Sequence, residues 1–267
     1  MPTKGYTIKP FPKRRKLVTD IGWLARSRHP MQGVVEVDIT DTRSLIRRTR
    51  GETGAQLSFT SFLVATVAQA MLRTSEVNAT HTLHGKIAYF DDVNVLTMIE
   101  VTNTDGMRIP IGHLIAAANR LSPAQIEERI DKFRNSYNDA AETRMLDMMT
   151  SLPRFLRRGL FGRMPKNPKF IQSTMGTVVV SAVGMFIPRH AAWALGRANH
   201  TVSVWVGSTV DRVCNIKGQL VTRTMACITI DLDHDIIDGA PGAKFVADLV
   251  EMIENATVLK NPVSQEM

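Results

Sequence analysis

The chain has 267 residues, 44% hydrophobic and 22% charged, with a formal net charge of +8. That composition supports a real hydrophobic core and excludes a disordered or fibrous chain, and no apolar run of about 18 residues is present to predict a membrane-spanning helix. The N-terminus lacks the apolar stretch of a secretory signal, and two cysteines, Cys214 and Cys227, are too few for a disulfide framework, so a reduced cytoplasmic protein is expected.

Residues 1–14 read as a basic arm. Leu17, Val18, Ile21 and Leu24 recur at helical spacing and predict a helix over Arg15–Arg26. Val34–Thr40 alternates apolar and polar residues, as a half-buried strand does. Asp41 is the expected N-cap of a helix reaching Arg50. Phe59–Met71 is an apolar, Ala-rich helix begun by Thr60 or Ser61. Ile87–Phe90 and Val93–Val101 read as strands, 103–106 (NTDG) as a turn, and Arg108–Gly112 as a short strand interrupted by Pro110. Ser122 followed by Pro123 opens a helix to about Asn138. Three more strands are expected at Val178–Ser181, Val202–Val206 and Met225–Leu232, before a final amphipathic helix over Ala243–Glu254. Strands and helices interleave without a strict repeat, which predicts one mixed α/β domain.

The charge is concentrated. Residues 1–19 and 151–170 each hold six Lys or Arg and no acid, leaving the remainder at −4. An anionic small molecule, an anionic membrane and nucleic acid are the three partner classes that a basic chain raises. No zinc-finger spacing, RNA-recognition sequence or helix-turn-helix is present, so nucleic acid is not expected. No GxGxxG or P-loop sequence suggests a nucleotide cradle.

The stretch carrying the clearest chemistry is Ile228–Gly242, ITIDLDHDIIDGAPG. A strand runs straight into Asp233-His234-Asp235, then Asp238-Gly239, then a helix. A histidine at a strand end is held rigidly and titrates near neutral pH. Asp231, Asp233, Asp235 and Asp238 raise a metal reading, but Ile236 and Ile237 break the ligand alternation a calcium loop needs, so no metal is expected. His29, His81, His84, His113, His190 and His200 are read as ordinary structural histidines.

Asp-His-x-x-x-Asp-Gly between a strand and an amphipathic helix resembles the active-site motif of the dihydrolipoyl acyltransferases of 2-oxo acid dehydrogenase complexes. Chloramphenicol acetyltransferase shares its His-x-x-x-Asp-Gly core. The likeness continues in order through RKLVTDIGWLARS at 15–27, VVEVDIT at 34–40, residues 57–80, residues 90–111 and VVVSAVG at 178–184. It spans roughly 13–135 and 174–260. The resemblance implies the coenzyme A-dependent acyltransferase fold, a mixed sheet with packed helices that forms trimers. It also implies His234 as general base on a thiol, with coenzyme A as co-substrate, and Ser181 as the hydroxyl that stabilises the oxyanion. His234 of one subunit would face Ser181 of its neighbour. Asp238, the motif's second carboxylate, would be structural and pair with Arg15, while Gly239 would supply a tight loop-to-helix transition.

Three departures from the family are visible. Asp235 stands where the family has Arg. Residues 142–173 match poorly and read as a basic amphipathic insert: a surface helix, a lid, or a membrane-surface contact. No lipoyl or subunit-binding domain is seen in the chain, so no covalent lipoyl group is expected. A separate lipoyl or carrier protein would then present the acyl group, and the acceptor could be a thiol, hydroxyl or amine. The competing expectation is a trimeric scaffold that has lost its activity.

Overall fold

Alternating apolar residues along the strands give one oily face and one polar face, and the sheet is built on that division. The computed structural model describes residues 5–54, 56–103, 106–137, 139–182, 190–197 and 199–261. The elements run α1 (Lys13–Ala25), β1 (Pro30–Asp38), α2 (Thr40–Thr53), α3 (Phe59–Arg73), β2 (Ala79–His81), β3 (Ile87–Tyr89), β4 (Val95–Thr102) and β5 (Arg108–Ile115). Then follow α4 (Pro123–Ser136), α5 (Asp139–Ser151), α6 (Arg154–Arg163), the short α7 (Pro168–Phe170), β6 (Val178–Ala182), β7 (Val202–Ile216), β8 (Gln219–Asp233), α8 (Gly239–Glu254) and α9 (Thr257–Lys260).

Six strands form a mixed sheet in the order β1-β8-β7-β6-β4-β5, with β6 parallel to both β4 and β7. β2 and β3 form a separate antiparallel pair. The core side of the sheet carries Val178, Val180, Val202, Val204, Ile228 and Ile230, all buried. Helix α3 packs there against β4 and β6, and against α4 and α8. Burying a side chain such as Phe62 or Phe245 completely contributes about 1.5–3 kcal/mol. By alternation, the opposite face carries Gln32, Thr229, Asp231, Ser203, Trp205 and Ser181.

Local chemistry explains most element boundaries. Ser122 caps α4 in a capping box with Gln125, with Pro123 at the first turn. Helix α3 is capped two to three residues earlier than expected: Ser58, not Thr60 or Ser61, accepts from the Ser61 N–H in a second capping box. Asp41 lies in the first turn of α2, whose cap residue is Ile39. Pro110 does not end β5, because β5 is an edge strand and a missing N–H there costs no ladder bond. The 103–106 turn is closed by the Gly106 N–H donating to the Asn103 carbonyl; Thr104 and Asp105 lie outside the described residues.

The main element the sequence reading left out is the outer half of the β7–β8 hairpin. The strands pair out to Ile216 and Gln219 around Lys217 and Gly218, both at positive φ. The 142–173 segment folds largely into the two helices α5 and α6, followed by short turns.

Candidate active site

His234 follows the last residue of β8 directly and is exposed. Five contacts hold its neighbourhood. The His234 N–H donates to the His29 carbonyl at 2.9 Å, and the Asp233 N–H donates to the Thr201 carbonyl at 2.9 Å. The Asp233 carboxylate, almost fully buried, accepts from the Arg28 guanidinium. Asp235 pairs with the His29 ring at 2.9 Å, and its carbonyl accepts from His81 Nε2 at 3.1 Å. The residues just after α1 therefore clasp the three-residue turn that presents His234.

His29, His81 and Arg28 were not anticipated in this role. The only hint was Asp235 itself: an anion where the family has a cation calls for positive partners, but the motif does not say where they lie. The carboxylates of Asp231, Asp233 and Asp235 face separate partners, and Asp238 faces solvent. Asp231 accepts from Gln32 at 2.8 Å and Trp205 Nε1 at 2.7 Å, and burial raises its pKa against the lowering effect of those two bonds. Among the described residues no three His, Cys, Asp or Glu side chains converge as a metal site.

The expected Arg15–Asp238 ion pair is not made. Both side chains are exposed, and among the described residues neither belongs to an ion pair. The part of α1 that comes near the histidine loop is its C-terminal end. It is Leu24, Ser27 and Arg28, at and beyond the C-terminal end of α1, that line a cavity with Asp235. Arg15 sits ten residues before Ala25, about 15 Å back along the helix axis.

Gly239 does not act as expected either. It opens α8 without positive φ, and an added Cβ there would meet nothing within 4 Å. The tighter glycine of α8 is Gly242, where a Cβ would come within 2.8 Å of the Leu232 Cδ1 methyl, so that side chain would have to shift.

Ser181 lies on β6, buried, in the wall of a cavity of about 560 Å³ that also includes Met98, Glu100, Arg108, Glu127 and Arg134. Asp235 lines a second cavity of about 320 Å³ with Arg28, His81 and Lys166. The strand register separates these two places. Val178 of β6 pairs with Val202, which pairs with Leu232. Ser181 lies three residues beyond this row in one direction, and His234 two residues beyond it in the other. Five residues along the strands and two strand spacings across place the two Cα atoms about 19 Å apart. Within one chain, Ser181 and His234 do not share a site.

Comparison with known proteins supplies the family. Residues 7–150 and 166–260 match the family model of the 2-oxoacid dehydrogenases acyltransferase (catalytic domain). The poorly matching segment thus narrows from 142–173 to 151–165, which contains α6. The chain is 26% identical over 230 residues to the dihydrolipoyllysine-residue succinyltransferase component of the 2-oxoglutarate dehydrogenase complex of Haemophilus influenzae, covering 84% of this chain and 48% of the relative. It is 22% identical over 231 residues to the acetyltransferase component of the pyruvate dehydrogenase complex of Mycoplasma capricolum, covering 85% and 45%. The chain thus spans about half the length of these curated relatives.

Among solved structures, a probable dihydrolipoamide acetyltransferase from Listeria monocytogenes superposes with a TM-score of 0.70 at 20% identity, covering 99% of this chain and 98% of that one. The cubic core of a pyruvate dehydrogenase multienzyme complex gives 0.69 at 15%, covering 96% of each. Chloramphenicol acetyltransferase gives 0.51 at 13%, covering 93% and 98%. The fold is that of the acyltransferase cores. With 7–150 and 166–260 matched, the chain belongs to the 2-oxoacid dehydrogenase acyltransferase catalytic-domain family.

Proposed function

We propose that the chain moves an acyl group between a coenzyme A thioester and an acceptor, in active sites shared by neighbouring copies within a trimer. The observation that carries this reading is the separation of about 19 Å between Ser181 and His234 at opposite ends of one sheet. A single chain cannot enclose one carbonyl between them, whereas a second copy can bring its Ser181 end to the His234 end of the first. The family supplies the reaction class.

His234 takes the proton of the attacking thiol. With a thiol pKa near 8.5, only a few per cent is thiolate at pH 7, so a positioned base raises the reactive fraction where it is needed. The sulfur lone pair attacks the thioester carbonyl, and the carbonyl π pair moves onto oxygen. Collapse of that intermediate re-forms the carbonyl and expels the donor thiolate, which takes the proton back from His234. The Ser181 hydroxyl of the neighbouring copy donates to the oxyanion, a contribution of roughly 2.7–4 kcal/mol for a single such donor. Lys166, exposed in the wall of the second cavity and outside every ion pair among the described residues, suits a polyanionic thioester.

The acyl carrier is a lipoyl group or another thiol. Trimers stand alone or assemble further, as in the multienzyme core named above. His234→Ala should lower turnover by about 10²–10⁴-fold with the assembly intact by sedimentation. Unchanged turnover would remove the mechanism.

A further inference from the structure

Helix α6 is turned inside out. A surface helix on a globular domain ordinarily buries its apolar stripe and exposes its charges. In α6, RFLRRGLFGR, the buried residue is Arg157, and Arg158 lies half-buried beside it. Both guanidiniums bind Asp20 of α1, at 2.8 and 3.2 Å, and Asp20 is completely buried. Arg158 also stacks on Trp23, 4.8 Å from the ring centroid. Three of its four large apolar residues face out, Phe155 at 73% exposure, Leu156 at 49% and Leu160 at 47%, while Phe161 is partly buried on the side of the two arginines. At 3.6 residues per turn these three span an arc of about 140°, and the exposed Arg163 falls inside it. Helix α1 repeats the inversion, with Asp20 inward and Val18 and Ile21 exposed. Two helices are thus stapled together by buried charge, and each leaves apolar side chains outside.

The surroundings of this face are cationic. No Asp or Glu occurs between Asp147 and Asp211, while Arg154, Arg163, Lys166 and Lys169 are exposed around the apolar residues. The family model passes over residues 151–165, so α6 is not part of what defines the acyltransferase domain. An occupant must accept apolar side chains and neutralise cations at once. An anionic bilayer does both, with acyl chains beneath a layer of phosphates. A second copy meeting this face with its own would bring cation against cation, and a nucleic acid has phosphates but no apolar layer for Phe155 and Leu156.

We propose that α6, anchored to α1 through Asp20, docks the protein on an anionic membrane surface. The proposal does not depend on the acyl-transfer reading. The test is co-sedimentation of the full chain with vesicles of phosphatidylcholine alone and of phosphatidylcholine containing phosphatidylglycerol, at low and high salt. The chain should bind the anionic vesicles, less so as salt rises. The triple variant Phe155→Ser, Leu156→Ser, Leu160→Ser should lose at least tenfold in binding while keeping its thermal midpoint and turnover. Because the three side chains are exposed, the variant should fold, and sedimentation velocity checks its assembly.

Three outcomes overturn the proposal. One is no binding of the parent chain to anionic vesicles. Another is vesicle binding that survives the serine substitutions, as simple attraction to any polyanion, duplex DNA included, would. The third is a smaller assembly for the triple variant, which would show that another copy of the chain covers this face.

Discussion

Arg28 forms an ion pair with Asp233, the residue immediately before His234, and the pair lies almost wholly out of solvent. The two residues are 205 positions apart in the chain, so this contact ties the exit of α1 to the exit of β8. Removing one partner strands the other charge in a place water hardly reaches. Arg28→Met should cost about 3–5 kcal/mol of unfolding free energy. Arg28→Met combined with Asp233→Asn should cost less than the sum of the single changes, measured by urea denaturation of all four proteins. Additive losses would mean that the pair is not coupled.

The contact between His29 and Asp235 has a different weight. Both side chains are substantially exposed, and water screens them. His29→Ala should therefore change stability by less than about 1 kcal/mol. The backbone bond from His234 to the carbonyl of residue 29 survives the substitution, so turnover should stay near that of the parent. A large loss of stability would show that the ring carries more of the loop than its exposure implies.

Asp20 is completely buried between Arg157 and Arg158. Asp20→Ala leaves two cations without their anion and should free α6 from α1. Trypsin should then cut in the 154–163 stretch several times faster than in the parent, read by mass spectrometry, while the sheet strands stay protected. Equal cutting rates would show that α6 is held by something other than this carboxylate.

His200 supplies the pH dependence of stability. Burial lowers its pKa from 6.5 to about 4, and its Nε2–H donates to the Met175 carbonyl at 3.1 Å. The folded state thus holds the ring neutral where the unfolded chain would protonate it. Stability is complete above the unfolded value near 6.5 and falls as pH drops toward 4, on the order of 3 kcal/mol across that window. Carboxylates titrate at the low end too, so the informative quantity is the difference from His200→Gln, whose stability should vary less over the same range. Parallel curves would contradict the assignment.

Much of the site could be read directly from the sequence. The strand-then-histidine pattern at Ile228–His234 needs only β8 to end where its apolar alternation ends, and it does. Ser122 with Gln125 and the apolar run of α3 are local signals, and local signals survive into the fold. What stayed hidden depends on distance. Nothing around Arg28 distinguishes it from Arg26 until the chain brings it to Asp233. The outer β7–β8 hairpin is exposed and lacks the apolar alternation that marks a strand. Helix α6 has the right period but the opposite orientation, because its arginines answer a single buried aspartate more than 130 residues earlier. Arg15 was assigned through the family motif, and among the described residues neither it nor Asp238 belongs to an ion pair; it is the C-terminal end of α1, not its start, that lines a cavity with Asp235.

The shared site makes a demand that no single-chain enzyme would meet. His234→Ala and Ser181→Ala should each be nearly inactive alone. Unfolded together and refolded as mixed assemblies, they should regain activity, because an interface pairing His234 from the serine variant with Ser181 from the histidine variant is intact. With random mixing and one His and one Ser from different copies, about a quarter of sites are whole. The account predicts recovery approaching that share of parental turnover. Mixed assemblies that stay as inactive as their parents would contradict it.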